Sequence, residues 1–499
     1  MPSKPVRAGE RRPLLGEESL NEPDVAPTIV SRPYLRVVAP AFLNLMTSSL
    51  CVAIYNTAIY QIQERIICKQ HYDDVVDSTT DPRCKGPAVQ GDFSLLIGVQ
   101  NTFELIPTLM SGILYGVVAD TYGRKPVFVL CTFGAFLHLA ADAVICRFPE
   151  VLPLKLVWAS AMVTFIGGGA GVYINIDYTM VADVTSPSQR ANVFFLLAST
   201  TVLGNLVGNF LAYGAMQQGD WFALYASLVI KFLIFATSFL FKETLSQKII
   251  EQHDSSSVGA EDTGSLTTRV LARLKEPAQR TVTSLRTIFW TNKKLSVLLS
   301  STFLTSIGTY LVKLIFLQYI SKRYSLSWAQ SSLIMSIKAF VQLGLILVVL
   351  PVLSHLLIKR GLSPISRDVW ITRSSLFFAA TGYAIVGFAR DVPALSTGLV
   401  ISALSYGLEP ALRGLLVSVA QGEATALIFS TMGTLSGLGL AVAGPMMAAL
   451  FRAGLRLGGD WMGLPLYFAS AAMVPTLCVV MLFKFEGRDA QENEEERCE

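Results

Sequence analysis

Gly116-Val117-Val118-Ala119-Asp120-Thr121-Tyr122-Gly123-Arg124-Lys125-Pro126 is a short, charged bridge between two long apolar runs. Gly123 permits a backbone turn that residues with a Cβ resist, and Pro126 is suited to opening the next helix. Gly116 reads as a place where one helix end lies close against a neighbour. Asp120 sits within four positions of the double positive charge Arg124-Lys125. In a membrane hairpin such a basic turn also marks the cytoplasmic side.

The chain around this bridge has 499 residues, of which 52% are hydrophobic and only 15% charged. Its mean hydropathy is +0.50. Soluble domains carry about 25% charged residues, so the composition is that of a polytopic membrane protein. The formal net charge of +4 points to no nucleic-acid partner. The first thirty-odd residues are polar, Pro-rich and charged, unlike a secretory signal, so insertion is expected to rest on the internal spans.

From Tyr34 onward the apolar runs are about 20 residues long or longer, each enough to cross a hydrocarbon core as a helix. About twelve are legible on that criterion. Six fall in Tyr34–Tyr60, Phe93–Val118, Val127–Ile145, Pro153–Val181, Ala191–Met216 and Trp221–Phe241. The other six fall in Leu295–Ile320, Trp328–Leu350, Val369–Phe388, Val392–Val419, Ala426–Phe451 and Trp461–Phe485. The expected organisation is a disordered cytoplasmic tail (1–33), a six-helix bundle (34–242), a polar cytoplasmic linker (243–293), a second six-helix bundle (294–485) and an acidic cytoplasmic tail (486–499).

Basic residues mark one side: Arg32 and Arg36, Arg124-Lys125, Arg190, the linker, Lys359-Arg360 with Arg367, and Lys484. The Gln61–Asp92 loop on the other side carries Asp73, Asp74, Asp77 and Asp81. Both termini are therefore expected in the cytosol. The loop also holds Cys68 and Cys84, which should be bridged if it is extracytosolic, with Cys146 as a rival partner. Cys51, Cys131 and Cys478 lie in apolar runs and read as small core residues.

The spacing G-x-x-x-D-x-x-G-R-K, carried by Gly116, Asp120, Gly123, Arg124 and Lys125 between a second and a third span, resembles the signature loop of the major facilitator superfamily. That resemblance implies an all-α fold of two six-helix bundles related by a pseudo-twofold along the membrane normal, and it gives the loop the role of a latch between them. Asp183-Val184-Thr185-Ser186-Pro187-Ser188-Gln189-Arg190 resembles the family's acidic-to-Arg motif after the fourth helix, so the resemblance implies that Arg190 pairs with Asp120. Pro410-Ala411-Leu412-Arg413 and the Cys-bearing first outer loop resemble the branch that contains the proton-coupled folate transporter. That branch's seventh-span His and fifth-span acid have no counterpart here, and folate as substrate is poorly supported. The fifth span also lacks the Gly-Pro pair usual in drug/proton antiporters of the superfamily.

An ionisable group inside a bilayer is costly unless it faces protein or water, which makes it a functional candidate. Glu104 stands in the second span, Asp177 in the fourth, Lys231 in the sixth, Lys313 and Lys338 in the seventh and eighth, and Glu409 with Arg413 in the tenth. Resemblance places the first, fourth, seventh and tenth helices around the substrate cavity, so Asp177, Lys313, Glu409 and Arg413 are expected to line it. Glu409 and Arg413, at i and i+4, could also be an intrahelical pair that makes both tolerable. For Lys231 a structural role is favoured, by snorkelling or by meeting a carboxylate. Glu104 is open between proton handling and a structural hydrogen bond.

No phosphate-binding Gly-rich loop is present, and the four histidines show no metal-ligand or triad spacing. No enzyme activity, cofactor or metal is expected. The expected function is secondary active transport of a small organic solute by alternating access, proton-coupled, by a monomer in the plasma or vacuolar membrane. A transporter-fold receptor without net flux and a drug or toxin efflux antiporter are the alternatives. Glu10 with Leu14-Leu15 resembles an acidic dileucine signal that sorts membrane proteins to vacuoles or lysosomes.

Overall fold

A computed structural model of the chain describes residues 32–75, 81–185, 187–245, 293–361, 364–419 and 425–482. Among them there is no strand, and 12 helices are long and apolar enough to cross a membrane. They are α1 (Val37–His71), α2 (Pro87–Tyr122), α3 (Arg124–Arg147), α4 (Leu154–Val184), α5 (Val193–Gln218) and α6 (Asp220–Ser238) in the first half. The second half comprises α7 (Ser296–Arg323), α8 (Trp328–Lys359), α9 (Ile365–Phe388), α10 (Val392–Leu416), α11 (Thr431–Leu457) and α12 (Gly459–Leu482). The expected all-α, two-times-six architecture is present. The dileucine stretch lies outside the described residues.

The hydropathy reading ends the first span at Tyr60, whereas the helix continues to His71. Glu64 and Arg65 interrupt a count of apolar residues, yet both are satisfied in place. Glu64 accepts from Lys85 Nζ at 2.9 Å on each oxygen, and Arg65 pairs with Asp220 at 2.5 Å. Because Pro87 already opens α2, the segment taken as one Gln61–Asp92 loop shrinks to residues 72–86. Asp81 caps a short turn there, accepting from the Arg83 N–H at 2.8 Å. A disulfide joins Cys68 to Cys84 with Cα atoms 5.1 Å apart, and Cys146 keeps a free, buried thiol.

Within the first half α1 packs chiefly against α5 and α6, and α3 against α6; within the second, α7 packs against α11 and α12, and α9 against α10 and α12. The halves meet through α2 with α11 and through α5 with α8. Advancing each helix of the first pair by half the bundle gives the second pair, as a pseudo-twofold requires. At the α2–α11 crossing Gly98 and Gly444 lie backbone to backbone, and a Cβ on either would collide with the other's carbonyl oxygen.

α4 is broken. Gly167, Gly168 and Gly169 take φ values of +94°, +82° and +78°, which only glycine adopts freely in succession. The backbone groups freed by the break find partners, as they must inside a bilayer. Tyr115 donates its hydroxyl to Phe165 O at 2.8 Å and accepts from Gly167 N at 2.9 Å, while Cys131 Sγ donates to Gly167 O at 2.9 Å. The pseudo-symmetric α10 has a tightened turn at Leu404–Gly407.

Candidate transport pathway and gates

One end of the molecule, where the disulfide lies, is closed by bonds between the halves. Trp328 of α8 is buried and donates its indole N–H to Glu64 of α1 at 2.6 Å. Lys85 is held by Glu64 and donates across the interface to Ser321 of α7 at 2.7 Å. Gln318 Nε2 donates to Gln90 O at 3.0 Å, and Lys322 donates to Lys85 O. Arg452 of α11 pairs with Asp92 at 2.9 Å. The rings of Tyr60 and Phe93 stand edge-on to Trp328 at 5.7 and 5.3 Å, sealing the polar cluster from one side. Polar groups in such a site strengthen one another because water is kept out.

At the other end, where residue 245 and residue 293 border the linker, charges pair within their own half among the described residues. Arg124 pairs with Asp120 and reaches Asp183 at 3.4 Å. Thr244 Oγ1 also donates to Asp183, at 3.0 Å. Arg413 pairs with Glu409, and Arg367 with Asp368 at 2.8 Å. The side chain of Arg190, and with it the expected Arg190–Asp120 pair, lies outside the described residues. Gly116 has no atom within 4 Å of where a Cβ would be, so the close neighbour expected there is absent. Instead Gly116, Asp120, Arg124, Asn175 and Thr179 line an open cleft of about 230 Å³ between α2 and α4.

Gly123 has two reasons to be glycine. Its φ is +110°, and a Cβ there would run into the carboxylate of Glu243. That carboxylate caps α3, accepting from the N–H of Arg124 at 2.9 Å and of Lys125 at 3.0 Å. It also accepts from the N–H of Thr244 and of Leu245, each at 3.0 Å. Burial pushes the Glu243 carboxyl up, but the backbone N–H groups of Leu245, Arg124, Lys125 and Thr244 outweigh it and hold the group below the usual glutamate range. Helix N-termini carry unpaired donors and a positive dipole end, which a carboxylate satisfies.

Between the two ends the structure gathers part of the expected set. Tyr178 of α4 and Tyr310 of α7 both lie within electrostatic reach of Glu409 and Arg413. Lys313 is exposed and stands 5.0 Å from the Tyr310 ring centre; Lys338 stands 4.4 Å from that of Phe316 and faces Lys313. The Arg413 and Glu409 side chains are 53% and 71% exposed, so their pairing is not a device for burial. Asp177 departs from expectation: it is fully buried, and neither carboxylate oxygen has a hydrogen-bond partner among the described residues. Lys231, expected to snorkel or to meet a carboxylate, is buried, donates to Ser48 Oγ at 3.2 Å and lies over the Tyr173 ring.

Sequence reasoning missed Glu64, Lys85, Trp328, Asp142 and Glu243. Asp142 carried the usable signal, a carboxylate inside the apolar run Val127–Ile145. Glu64 was hidden by the early end assigned to α1. Nothing local marks Trp328 or Glu243, since their partners are remote in sequence.

Two six-helix halves, closed at one end by cross-half polar bonds and separately charged at the other around a central region, define a membrane transporter of the two-bundle class. The Major Facilitator Superfamily profile matches residues 41–445, and the chain belongs to that family. An MFS efflux pump of Emericella nidulans, atnC, is 26% identical over 470 residues, covering 91% of this chain and 89% of its own. The proton-coupled folate transporter of Bos taurus is 24% identical over 382 residues, covering 75% of each chain. The solved human organic anion transporter MFSD10 superposes with a TM-score of 0.56 at 18% identity, covering 90% of this chain and 100% of its own.

Proposed function

We propose that the protein exports a small organic anion by alternating access, coupled to protons, and that the linker end faces the cytosol in the plasma or vacuolar membrane. The observation that carries the reading is the central region: two cations, Lys313 and Arg413, with the Lys338 amine beside Lys313, outnumber the Glu409 carboxylate among the tyrosines Tyr178, Tyr310 and Tyr406. Cations with aromatic faces suit a planar anionic solute. The disulfide at the closed end fits an oxidising compartment on that side. The efflux pump named among the relatives favours export, although α5 lacks the Gly-Pro pair of drug antiporters.

In this conformer the route opens toward the linker. The cleft beside Gly116 and Asp120 is then the seat that the second half occupies when the linker end closes, which gives the latch residues a partner from the other half only in the alternate state. A thermal-shift screen of the purified protein against organic anions, cations and neutral solutes, followed by proteoliposome flux of the hits at two pH values, tests the proposal. Anions should stabilise the wild type and fail to stabilise Arg413→Gln. Stabilisation by cations or neutral solutes alone would overturn the anion assignment, and binding without flux would overturn transport.

A further inference from the structure

We propose that Glu104, His138 and Asp142 form the proton site of this transporter, with the exchangeable proton held between His138 Nε2 and the Glu104 carboxylate. The inference rests on the proton-coupled reading above and gives it a location away from the solute region.

Asp142 on α3 is fully buried and accepts from three helices. Tyr55 of α1 donates at 2.6 Å, Gln100 of α2 at 3.0 Å, and Ser160 of α4 donates to the other oxygen. No lysine or arginine pairs with Asp142 or Glu104 among the described residues. The hydroxyl of Ser160 has one hydrogen, already directed at Asp142 and at Val157 O. While Asp142 is ionised it therefore has none for His138 Nδ1 at 3.4 Å, and that nitrogen then carries the hydrogen and donates to Ser160. This fixes the ring's role: Nε2, 3.4 Å from Glu104 Oε1 and 4.0 Å from Asp142 Oδ2, is the atom whose proton can come and go.

Two loaded arrangements have the same charge. Either the imidazolium faces the Glu104 carboxylate, or the neutral ring accepts from the Glu104 carboxylic acid. Release passes the proton from Glu104 to water and leaves one more negative charge beside the buried Asp142. The route in is graded, because the Glu104 side chain is 39% exposed, that of His138 9% and that of Asp142 0%. Chains of Asp, Glu and His inside a membrane are the usual material of proton relays.

The site is wired to a moving part. Ser160 belongs to the stretch of α4 that precedes the break at Gly167, and the stretch beyond the break carries Tyr178 to the central region and Asp183 to the linker end. Losing the Nε2 proton alters the bond that His138 makes through Ser160, and thus the anchor of that hinge. The titratable groups facing the site are Tyr55 and Tyr60 from α1, Glu104 from α2, and Asp142 and Cys146 from α3 itself. α4 presents Ser160, while α6 presents Phe232 and Phe235 to the neighbouring α3 rings Phe136 and Phe133.

The test is hydrogen exchange of residues 318–330, the second half's side of the disulfide-end closure, in full-length protein between about pH 5 and pH 8, corrected for intrinsic exchange. Wild type should change protection by about tenfold or more across that range, the equilibrium shift that about 1.4 kcal/mol produces. Glu104→Gln and His138→Gln should be flat, and His71→Gln should respond as wild type. His71, which bonds Asp92 at 2.9 Å at the closed end, is the rival sensor. If His138→Gln fails to fold, Glu104→Gln, which alters a part-exposed acid, decides alone. A pH-responsive wild type whose response survives Glu104→Gln, or is lost in His71→Gln, overturns the site and leaves proton coupling standing. A pH-flat wild type overturns proton coupling, and the site with it.

Discussion

Trp328→Phe should loosen the disulfide-end closure without unfolding the protein. Phenylalanine keeps a ring against Tyr60 and Phe93 but removes the indole N–H that bridges the halves at 2.6 Å to Glu64. A hydrogen bond to a charged group contributes about 1.5–3 kcal/mol. Glu64 retains Lys85 and Gln90 as donors, so no buried carboxylate is stranded and the loss should not exceed that range. Because the bond exists only while this end is shut, the whole loss falls on the closed conformer, a shift of about 10–150-fold in the opening equilibrium. Hydrogen exchange read on peptides covering 84–92 and 318–330 should accelerate by that factor while the centres of α3 and α9 stay protected. Unchanged exchange in both peptides would show that the bond does not hold the closure. Acceleration across all helices would show that Trp328 supports the fold and not the gate.

Glu243→Ala should lower stability by about 1–2 kcal/mol through loss of the α3 cap. Since the folded carboxyl sits below its ordinary value, that contribution is complete above the usual glutamate range and fades as pH falls through the lowered one, so melting curves of variant and wild type should converge in acid. Asp120→Asn alters a side chain that is 60% exposed and should cost less than about 1 kcal/mol, yet slow transport; wild-type flux would remove the latch role. Arg413→Gln, alone or with Glu409→Gln, should likewise leave melting nearly unchanged because both side chains are exposed, while binding of organic anions falls about tenfold or more; a large loss of stability would return the pair to a structural role. Reducing the Cys68–Cys84 bridge should cost about 3 kcal/mol, read as a lower melting temperature in reductant, with Cys146 unreactive until unfolding.

Span number and the two-half arrangement were legible because about 20 apolar residues are a physical requirement for crossing a bilayer. The signature loop was legible because Gly123 and Asp120 answer local needs, a positive φ and a nearby cation. What failed was what depends on the fold. The extension of α1 past Tyr60 is held by Lys85 and Asp220, which no window of hydropathy connects to it. Asp177 looked like a cavity residue by its place along α4, but a helix broken at Gly167–Gly169 does not carry a simple face from one end to the other. Arg413 and Glu409 were readable as a pair, while their exposure, which sets the pair's energy, was not.

The central claim is that the closed end and the open end exchange. Paired spin labels in lipid nanodiscs read this directly, one pair at exposed Val151 and Val392 near the disulfide end, the other at exposed Tyr122 and Arg360 near the linker end. Introducing Trp328→Phe should lengthen the first distance and shorten the second in the same fraction of molecules. Lengthening of the first with the second unchanged, or of both together, would contradict alternating access.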